Sequence, residues 1–391
     1  MGGEKMEVVI IGSGFAGSVI ARKLVEHRQD IEVTIYEKRN HIGGNMYDEV
    51  DENGVLIQKY GPHIFHTNSK EVFEFIGCFT EYRYFKHEVV GKIDGEIVPI
   101  PFNFAGIDTL LTLEAATNIK KLLMGKYEVN QRVSIGELLN SQDGTIRSFG
   151  EYVYEKVFVH YTEKQWGIPI NEIDTAVINR IPVVMGYESN HFSTKYQYMP
   201  KEGFKKIFDN MLNHPQIQVI CNVNAKDILY FNEEEKQIYV NGKKFEGPII
   251  MTGALDELLD YKYGVLPYRS LNLKYEKYKM NYFQTKPVVN YPNSEDFTRI
   301  TEFKYLTGQK IDNATTILKE YPCAYNPKKN IPFYPIVNED SYSQYEIYKE
   351  YFEKFRRLYL CGRLAEYKYY DMNSVIIEAM KCAKKIIEEN C

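Results

Sequence analysis

A glycine-rich segment, Gly12-x-Gly14-x-x-Gly17, offers the first residues suited to chemistry. It follows a short apolar run at residues 8–12 and opens a stretch with helical spacing at residues 15–27. In such a unit one glycine makes the turn, the second admits a pyrophosphate, and the third lets helix and strand pack closely. Glu37 ends the next β-rich run and is suited to accept hydrogen bonds from ribose hydroxyls. The segment predicts a dinucleotide held at the amino end of a helix.

A second glycine pair follows the acid almost at once, in the sequence KRNHIGGN at residues 38–45. This arrangement resembles the extended fingerprint of amine-oxidase-like flavoproteins, which favours FAD over NAD. Without that context, Gly43-Gly44 would be a simple surface turn. A late Gly362-Arg363 pair lies where such folds return the chain to the flavin, and the Arg363 guanidinium is suited to face the pyrophosphate.

The elements that would position these residues alternate along the chain. Residues 8–37 form a βαβ unit, and the runs at 249–253 and 358–362 predict buried parallel strands that return to the same domain. Helical spacing dominates residues 104–161, whereas residues 181–200 and 268–335 alternate like antiparallel strands. A helix at residues 372–389 has Asp371 as its N-cap.

These patterns predict an α/β fold in three parts. The expected FAD-binding Rossmann-like domain comprises residues 6–100, 215–262 and 355–391. A helical domain with a mobile substrate loop occupies residues 101–180, and an antiparallel sheet domain comprises residues 181–214 and 263–354. A chain of 391 residues is longer than one hydrophobic core usually supports, which also favours two or three domains.

The composition excludes several classes of protein. Lys and Arg number 48 against 53 Asp and Glu, a net charge of -5, so there is no basic field to hold nucleic acid or an anionic membrane. No run of 18 apolar residues predicts a spanning helix, and the apolar run after the amino terminus is too short for a secretory signal. The six cysteines are scattered without a CxxC pair, which favours a cytoplasmic protein.

Six further motifs occur in order along the chain. They are KYGPHIFHT at residues 59–67, YTEKQWG at 161–167, YRSL at 268–271, TRI at 298–300, KEYP at 319–322 and GRLAEYKYYDM at 362–372. Singly, a lone tryptophan is usually a core anchor and an isolated arginine is usually surface charge. Two histidines three residues apart lack the partners of a metal site, so no metal is expected. Together the motifs resemble the bacterial UDP-galactopyranose mutase family over residues 7–385.

The resemblance implies roles for individual residues. Arg180 and Arg299 would hold the diphosphate and stabilise its growing charge, while His63 and His66 would lie near the flavin ring and the sugar; these four are the expected catalytic residues. The loop carrying Arg180, residues 173–182, is expected to be mobile. The implied substrate contacts are Phe158, Tyr161, Thr162, Trp166, Arg180, Arg269, Asn290, Arg299, Tyr334, Tyr369 and Asp371. The implied cofactor contacts are Gly12, Ser13, Gly14, Phe15, Ala16, Gly17, Glu37, Lys38, Arg39, Gly43, Gly44, Asn45, His63, Ile64, Gly253, Gly362, Arg363, Tyr370, Asp371 and Met372.

The resemblance also implies the reaction. Ring contraction of a nucleotide-linked galactose leaves its oxidation state unchanged, so a flavin is expected to act covalently. In this family N5 of reduced FAD attacks C1 of the sugar and expels UDP, and the sugar then closes as a furanose. The expected activity is the interconversion of UDP-galactopyranose and UDP-galactofuranose, which supplies surface polysaccharide. A homodimer with UDP-galactose as substrate and NAD(P)H or another reductant is implied, with no nucleic-acid partner and no membrane insertion.

Two departures from the family pattern keep related sugars open. The usual Asn-Tyr-Phe is Asn190-His191-Phe192 here, and the usual Ile-Pro-Val-Arg ends in Val184. UDP-N-acetylgalactosamine and dTDP-fucose are therefore alternative substrates, although His63 favours plain galactose because N-acetyl-tolerant relatives prefer arginine at that position. An amine-oxidase-like oxidoreductase and a non-catalytic nucleotide-sugar binding protein are the alternatives from other functional classes.

Overall fold

The computed structural model describes residues 5–173, 179 and 181–390. Its strands are β1 (Met6–Ile11), β2 (Ile31–Glu37), β3 (Asp48–Val50), β4 (Leu56–Gln58), β5 (Phe65–Thr67), β6 (Tyr82–Tyr84), β7 (Val89–Ile93), β8 (Glu96–Ile100), β9 (Arg132–Val133), β10 (Val183–Val184), β11 (Tyr196–Pro200), β12 (Ile217–Cys221), β13 (Leu229–Asn232), β14 (Gln237–Val240), β15 (Lys243–Lys244), β16 (Ile249–Met251), β17 (Tyr268–Tyr278), β18 (Val288–Asn290), β19 (Arg299–Glu302), β20 (Thr315–Ala324), β21 (Tyr334–Pro335) and β22 (Leu358–Leu360). Its α-helices are α1 (Phe15–His27), α2 (Lys70–Gly77), α3 (Phe104–Leu110), α4 (Leu113–Lys126), α5 (Ile135–Leu139), α6 (Gly144–Val153), α7 (His160–Trp166), α8 (Phe204–Leu212), α9 (Ala225–Ile228), α10 (Leu255–Leu258), α11 (Phe303–Thr307), α12 (Glu339–Glu353) and α13 (Met372–Asn390).

A parallel sheet in the order β12-β2-β1-β16-β22 forms the part of the fold that the sequence predicts to bind a dinucleotide. Its apolar runs are buried on both faces, as expected where helices cover a parallel sheet. Helices α1 and α13 pack on one face, and α10 and α12 pack on the other. The predicted Rossmann-like fold is confirmed, together with the two late strands, β16 and β22.

Helix α13 has the predicted amphipathic pattern. Ile376, Ala379, Ala383 and Ile386 are buried against the sheet core, and each buried isoleucine contributes about 1.5–3 kcal/mol relative to exposure. Asp371 caps the helix, because its Oδ1 accepts a hydrogen bond from the Ser374 N–H at 2.7 Å. Over the residues that the structure describes, no helix combines the length and the apolar character needed to cross a membrane.

The helical region predicted at residues 104–161 is confirmed by α3 to α7 and the π-helix Tyr154–Val159. Side chains cap four of these helices: Asn103, Thr112, Ser134 and Asp143 each accept hydrogen bonds from the first-turn N–H groups. The apolar faces of the helices form a second core with β7 and β8. The π-helix leads directly into α7.

A seven-stranded sheet in the order β21-β17-β20-β19-β18-β7-β8 forms the third part. It contains the strands predicted at residues 268–335, but it also takes in β7 and β8, which the sequence division placed in the nucleotide domain. Strand β11 instead pairs with β5 and β6 in a separate sheet. The difference arises because alternation identifies a strand without identifying its partner: β7 joins this sheet by parallel pairing with β18.

Candidate active site

The first glycine segment forms a close-packed turn at the amino end of α1. Gly12 has φ +101°, and a Cβ there would lie 2.2 Å from Oγ1 of Thr252. A Cβ on Gly17 would lie 2.0 Å from the Gly12 carbonyl oxygen. These two glycines allow the turn and the helix–strand contact, and the N–H groups of the first turn of α1 are directed toward one anion site.

The second glycine pair packs directly on the first. The Gly43 N–H donates to the Ser13 carbonyl at 3.0 Å. A Cβ on Gly44, whose φ is +56°, would approach the Cα of Gly14 to 3.0 Å. The two segments therefore form one cradle with exposed backbone on both sides, and side chains at Gly14 and Gly44 would fill it.

Glu37 fixes the other side of the cradle. Its Oε2 accepts hydrogen bonds from the Ser13 N–H at 3.0 Å and the Ser13 hydroxyl at 2.7 Å, and its Oε1 accepts from the Arg39 N–H at 2.9 Å. The Arg39 guanidinium lies over the Tyr60 ring and donates to Oδ1 of Asn45 at 2.9 Å. Within the described chain its Nη1 is buried without a hydrogen-bond partner, which leaves a donor for a ligand at this end.

A cavity of about 530 Å³ extends from this cradle to the seven-stranded sheet, within the size range of about 300–1,000 Å³ that is usual for ligand pockets. Parts of the nucleotide domain, helix α7 and the sheet all line it. Predicted site residues that line it are Gly12, Ser13, Gly14, Phe15, Ala16, Glu37, Lys38, Arg39, Gly43, Gly44, Asn45, His63, Ile64, His66, Tyr161, Gly253, Asn290, Arg299, Tyr334, Gly362, Arg363, Tyr369, Tyr370, Asp371 and Met372.

A row of polar residues crosses the sheet at the cavity wall. Asn290 pairs with Arg299 in adjacent strands, and Arg299 pairs with Glu320 in the next strand, so the three side chains share one face. Nε of Arg299 donates to Oε1 of Glu320. Burial lowers the pKa of Arg299, but Glu320, Tyr161 and Tyr334 together raise it by more, so the guanidinium stays charged. Among described residues, Oδ1 of buried Asn290 has no hydrogen-bond partner.

Helix α7 brings Tyr161 to the cavity, and several contacts hold the carboxyl end of this helix. Arg269 donates to the carbonyls of Gln165 at 3.0 Å and Lys164 at 3.2 Å. The Gln165 amide also donates to the Tyr334 hydroxyl. Burial raises the pKa of Tyr161, so its hydroxyl stays protonated and able to donate.

Five predicted site residues do not line the cavity. Gly17 lies beneath the turn, Phe158 and Thr162 are buried, Arg269 binds the end of α7, and Trp166 packs edge-on against the Tyr334 ring with centroids 5.8 Å apart. Arg180 lies outside the described residues, as does most of the loop predicted to carry it.

Four histidines line the cavity: His63, His66, His87 and His191. Burial, followed by the charges of Arg363 and Arg299, lowers the pKa of His63 to about 3. Burial lowers the pKa of His191 to about 4 and that of His87 well below its usual value. Burial also lowers the pKa of His66, opposed by Asp371. All four imidazoles are therefore neutral near pH 7.

These neutral rings offer hydrogen-bonding nitrogens to a ligand. Over the described residues, the Nδ1 atoms of His63, His66 and His87 are buried without partners. Nδ1 of His191 lies 3.0 Å from the Ile100 carbonyl oxygen, so it carries the proton and leaves Nε2 as an acceptor. The His66 ring stacks on Phe192, with centroids 3.7 Å apart. The sequence predicted no role for His87, and it identified His191 only as a departure from the family pattern.

The carboxyl-terminal segment closes the cavity. Gly362, at φ +108°, lies against α1, since a Cβ there would be 3.1 Å from the Cβ of Ala16. The Arg363 guanidinium donates to the carbonyls of Phe333 and Tyr370 at 3.0 Å, and it lies 5.4 Å from the centre of the Tyr369 ring. Arg363 therefore links the nucleotide domain to the sheet domain across the cavity.

Comparisons with known proteins agree with this arrangement. Residues 156–369 match the family model described as UDP-galactopyranose mutase, and residues 10–79 match that of an NAD(P)-binding Rossmann-like domain. A UDP-galactopyranose mutase of Mycoplasma genitalium is 34% identical over 388 residues, covering 97% of this chain and 95% of the relative. A dTDP-fucopyranose mutase of Escherichia coli is 32% identical over 387 residues, covering 98% of this chain and 99% of the relative.

Solved structures share the fold at lower identity. A crystal structure of reduced UDP-galactopyranose mutase has a TM-score of 0.73 at 16% identity, covering 98% of this chain and 96% of that one. A putrescine oxidase variant has a TM-score of 0.55 at 12% identity, covering 99% of each chain. The fold alone is thus shared with oxidases. The family match and the near-full-length relatives show that this chain belongs to the UDP-galactopyranose mutase family.

Proposed function

We propose that the chain interconverts UDP-galactopyranose and UDP-galactofuranose with the help of a bound, reduced FAD. The observation that carries the proposal is one continuous cavity. It joins three regions: the dinucleotide cradle, a wall that holds a charged arginine, and a cluster of uncharged histidines. A flavin, a diphosphate and a sugar need these three environments side by side.

The cradle fits FAD on three observations. Gly14 and Gly44 leave backbone on both sides that a Cβ would obstruct, the amino end of α1 suits a pyrophosphate, and Nη1 of Arg39 is a buried donor without a partner in the described chain. The cradle continues past His63 toward the sheet, where an isoalloxazine ring would follow the pyrophosphate. Reduced FAD would supply a nucleophilic N5 for attack at the anomeric carbon of the sugar.

The sheet wall suits a uridine diphosphate. Arg299 would donate to the diphosphate and stabilise the negative charge that grows as the bond to the sugar breaks. Tyr161 offers a flat ring for the uracil, and Asn290 offers an amide whose oxygen lacks a partner among described residues. Arg180 is proposed as a second diphosphate contact from its family position alone.

The histidine cluster suits the sugar. A hexose carries hydroxyl donors but no charge, so neutral imidazoles with unshared lone pairs are better partners for it than lysine or arginine. The rings of His66 and His87 both stack on the ring of Phe192, with ring centroids 3.7 and 5.4 Å away. Such stacking fixes the ring planes, so hydroxyl groups would meet nitrogens in defined directions.

Chromatography of sugar nucleotides tests the proposal. FAD-loaded protein reduced with dithionite or NAD(P)H should convert UDP-galactofuranose to UDP-galactopyranose, while the oxidised protein should not. No product from the reduced protein would contradict the proposal. Bleaching of oxidised flavin by a substrate, with formation of peroxide, would instead indicate an amine-oxidase-like oxidoreductase.

A dTDP-fucopyranose mutase is the second candidate, because the relative with that name is 32% identical over nearly the whole chain. Fucose lacks the 6-hydroxyl of galactose, and dTDP differs from UDP in its base methyl group and its missing ribose 2′-hydroxyl, so both the sugar and the nucleotide distinguish the two substrates. Measuring kcat/KM for UDP-galactose, UDP-N-acetylgalactosamine and dTDP-fucose on the same reduced preparation would rank them. A higher value for dTDP-fucose would overturn the galactose assignment.

Three further properties complete the proposal. Scattered cysteines support a cytoplasmic enzyme, and a homodimer and NAD(P)H as reductant follow the family resemblance. Sedimentation of the FAD-loaded protein gives its oligomeric state. The rate of flavin reduction under anaerobic conditions, with NADH and with NADPH, tests the reductant.

A further inference from the structure

A buried carboxylate stands beside the arginine proposed to hold the diphosphate. The side chain of Glu320 is 2% exposed, whereas that of Arg299 is 33% exposed and faces the cavity. A negative charge in this position repels the ligand that the arginine attracts. Its presence therefore calls for a role beyond diphosphate binding.

The geometry of the pair indicates that role. Glu320 accepts from Nε of Arg299, a residue that lines the cavity. Among the described residues this is the one hydrogen bond of the Arg299 side chain, so the fork formed by its two terminal nitrogens is left for a ligand. A guanidinium held by Nε presents both terminal N–H groups side by side, which suits two oxygens of a phosphate.

The same contact reduces the net charge at the cavity wall. The described charged residues that line the cavity balance, because Lys38, Arg39, Arg299 and Arg363 are opposed by Glu37, Glu257, Glu320 and Asp371. Binding energy that is equal in the substrate and the transition state lowers KM without raising kcat. An unopposed arginine would therefore hold UDP strongly throughout the reaction, including the steps in which UDP must return to the sugar or leave the site.

We propose that Glu320 is a positioning residue that aims Arg299 through Nε and weakens its hold on the diphosphate enough for turnover. This inference rests on the proposed function, because it concerns the same diphosphate site. Cross-strand register supports it, since β19 and β20 place the two residues directly opposite each other. The rigid sheet thus fixes the pair before any ligand binds.

The test compares E320Q with the wild-type, FAD-loaded protein. Glutamine keeps an oxygen that accepts from Nε but removes the charge. Calorimetry with UDP and with uridine should show UDP bound about tenfold more tightly by E320Q, as expected for a nearby like charge at an intermediate dielectric, and uridine bound equally by both proteins. With reduced enzyme, KM and kcat should both fall at least threefold.

E276Q is the matched control. Glu276 lies on the neighbouring strand and pairs with Lys319 at 2.9 Å, away from the cavity lining, so its removal should not change the UDP affinity. UDP bound by E320Q as weakly as by wild type, or UDP and uridine changing in parallel, would overturn the inference. Calorimetry reports the Kd of the folded fraction, so a preparation that is only partly folded still shows whether the UDP affinity has changed. Wild-type protein that fails to bind UDP would contradict the proposed function itself.

Discussion

At the scale of single residues, the cavity separates charged and uncharged groups. The sheet wall holds a guanidinium kept charged by Glu320, while the histidine cluster stays neutral because burial disfavours imidazolium. This division matches a ligand that has a charged diphosphate at one end and a neutral sugar at the other. Separate substitutions can test the two halves of the site.

Replacing Arg299 tests the charged half. Arg299→Ala should lower kcat/KM by at least a hundredfold while FAD stays bound, because a charge-assisted contact to the departing diphosphate is lost and Glu320 is left buried and unpaired. Arg22→Ala is a suitable control, since Arg22 pairs on the surface with Glu26 at 2.7 Å. Steady-state kinetics and flavin absorbance measure both effects, and near-normal turnover of Arg299→Ala would refute the placement.

Replacing His191 tests the uncharged half. His191→Phe keeps an aromatic ring but removes the Nε2 acceptor, so kcat/KM should fall roughly 10- to 100-fold, since a buried hydroxyl of the sugar loses its partner. The affinity for UDP should stay within twofold, because UDP lacks the sugar. His191→Asn, whose amide can meet both Ile100 and the sugar, should recover part of the loss. Equal kinetics for wild type and His191→Phe would show that the ring only fills space.

At the scale of elements, α7 positions Tyr161 through its carboxyl end. Arg269 donates to two carbonyls in the last turn, where a cation also favours the negative end of the helix dipole. Lys164 donates to the carbonyls of Glu295 at 2.7 Å and Phe297 at 3.2 Å. Helix α7 is therefore fastened to strand β17 and to the loop between Asn290 and Arg299.

Gly167 makes the Arg269 contact possible. It ends α7 with φ +70°, and a Cβ there would lie 2.4 Å from Nη1 of Arg269. Gly167→Ala should therefore destabilise the protein by about 2 kcal/mol or more, from strain at positive φ and from displacement of the guanidinium. Gly125→Ala, in α4 with no atom within 4 Å of the added Cβ, should be neutral or stabilising by up to about 1 kcal/mol. Denaturant titrations give the free energy of unfolding of the two variants, and equal values would contradict this account.

The sequence predicted local elements better than their partners. The spacing of Gly12, Gly14 and Gly17 indicated a strand, a turn and a helix, because these constraints act over a few residues. It did not place β7 in the seven-stranded sheet, since pairing with β18 brings together residues about 200 positions apart. The sequence analysis noted Glu320 only within the KEYP motif, without a role, and it missed His87, for the same reason: a buried charge or an unpartnered nitrogen is defined by neighbours from distant strands.

At the scale of the whole molecule, three cores meet around one cavity. Their meeting point buries several ionisable groups, which ties stability to pH. Burial raises the pKa values of Asp48 and Asp256 to about 6. These two carboxyls bind protons more readily in the folded state, so their contribution to stability falls as pH rises from about 4 to 6. The buried histidines act in the opposite direction.

His191 should therefore make the protein less stable in mild acid. Its folded pKa of about 4 lies below the unfolded value of about 6.5. Between these pH values the unfolded chain binds a proton that the folded chain does not, so stability is full above pH 6.5 and is lost as pH falls toward 4. The loss is on the order of 1–2 kcal/mol at pH 5.

His191→Gln cannot titrate, so its free energy of unfolding should fall less than that of wild type between pH 7.5 and pH 5 in urea titrations. The two carboxyls remain in both proteins and cancel from the comparison. A fall of the same size in both would show that the imidazole does not carry the effect.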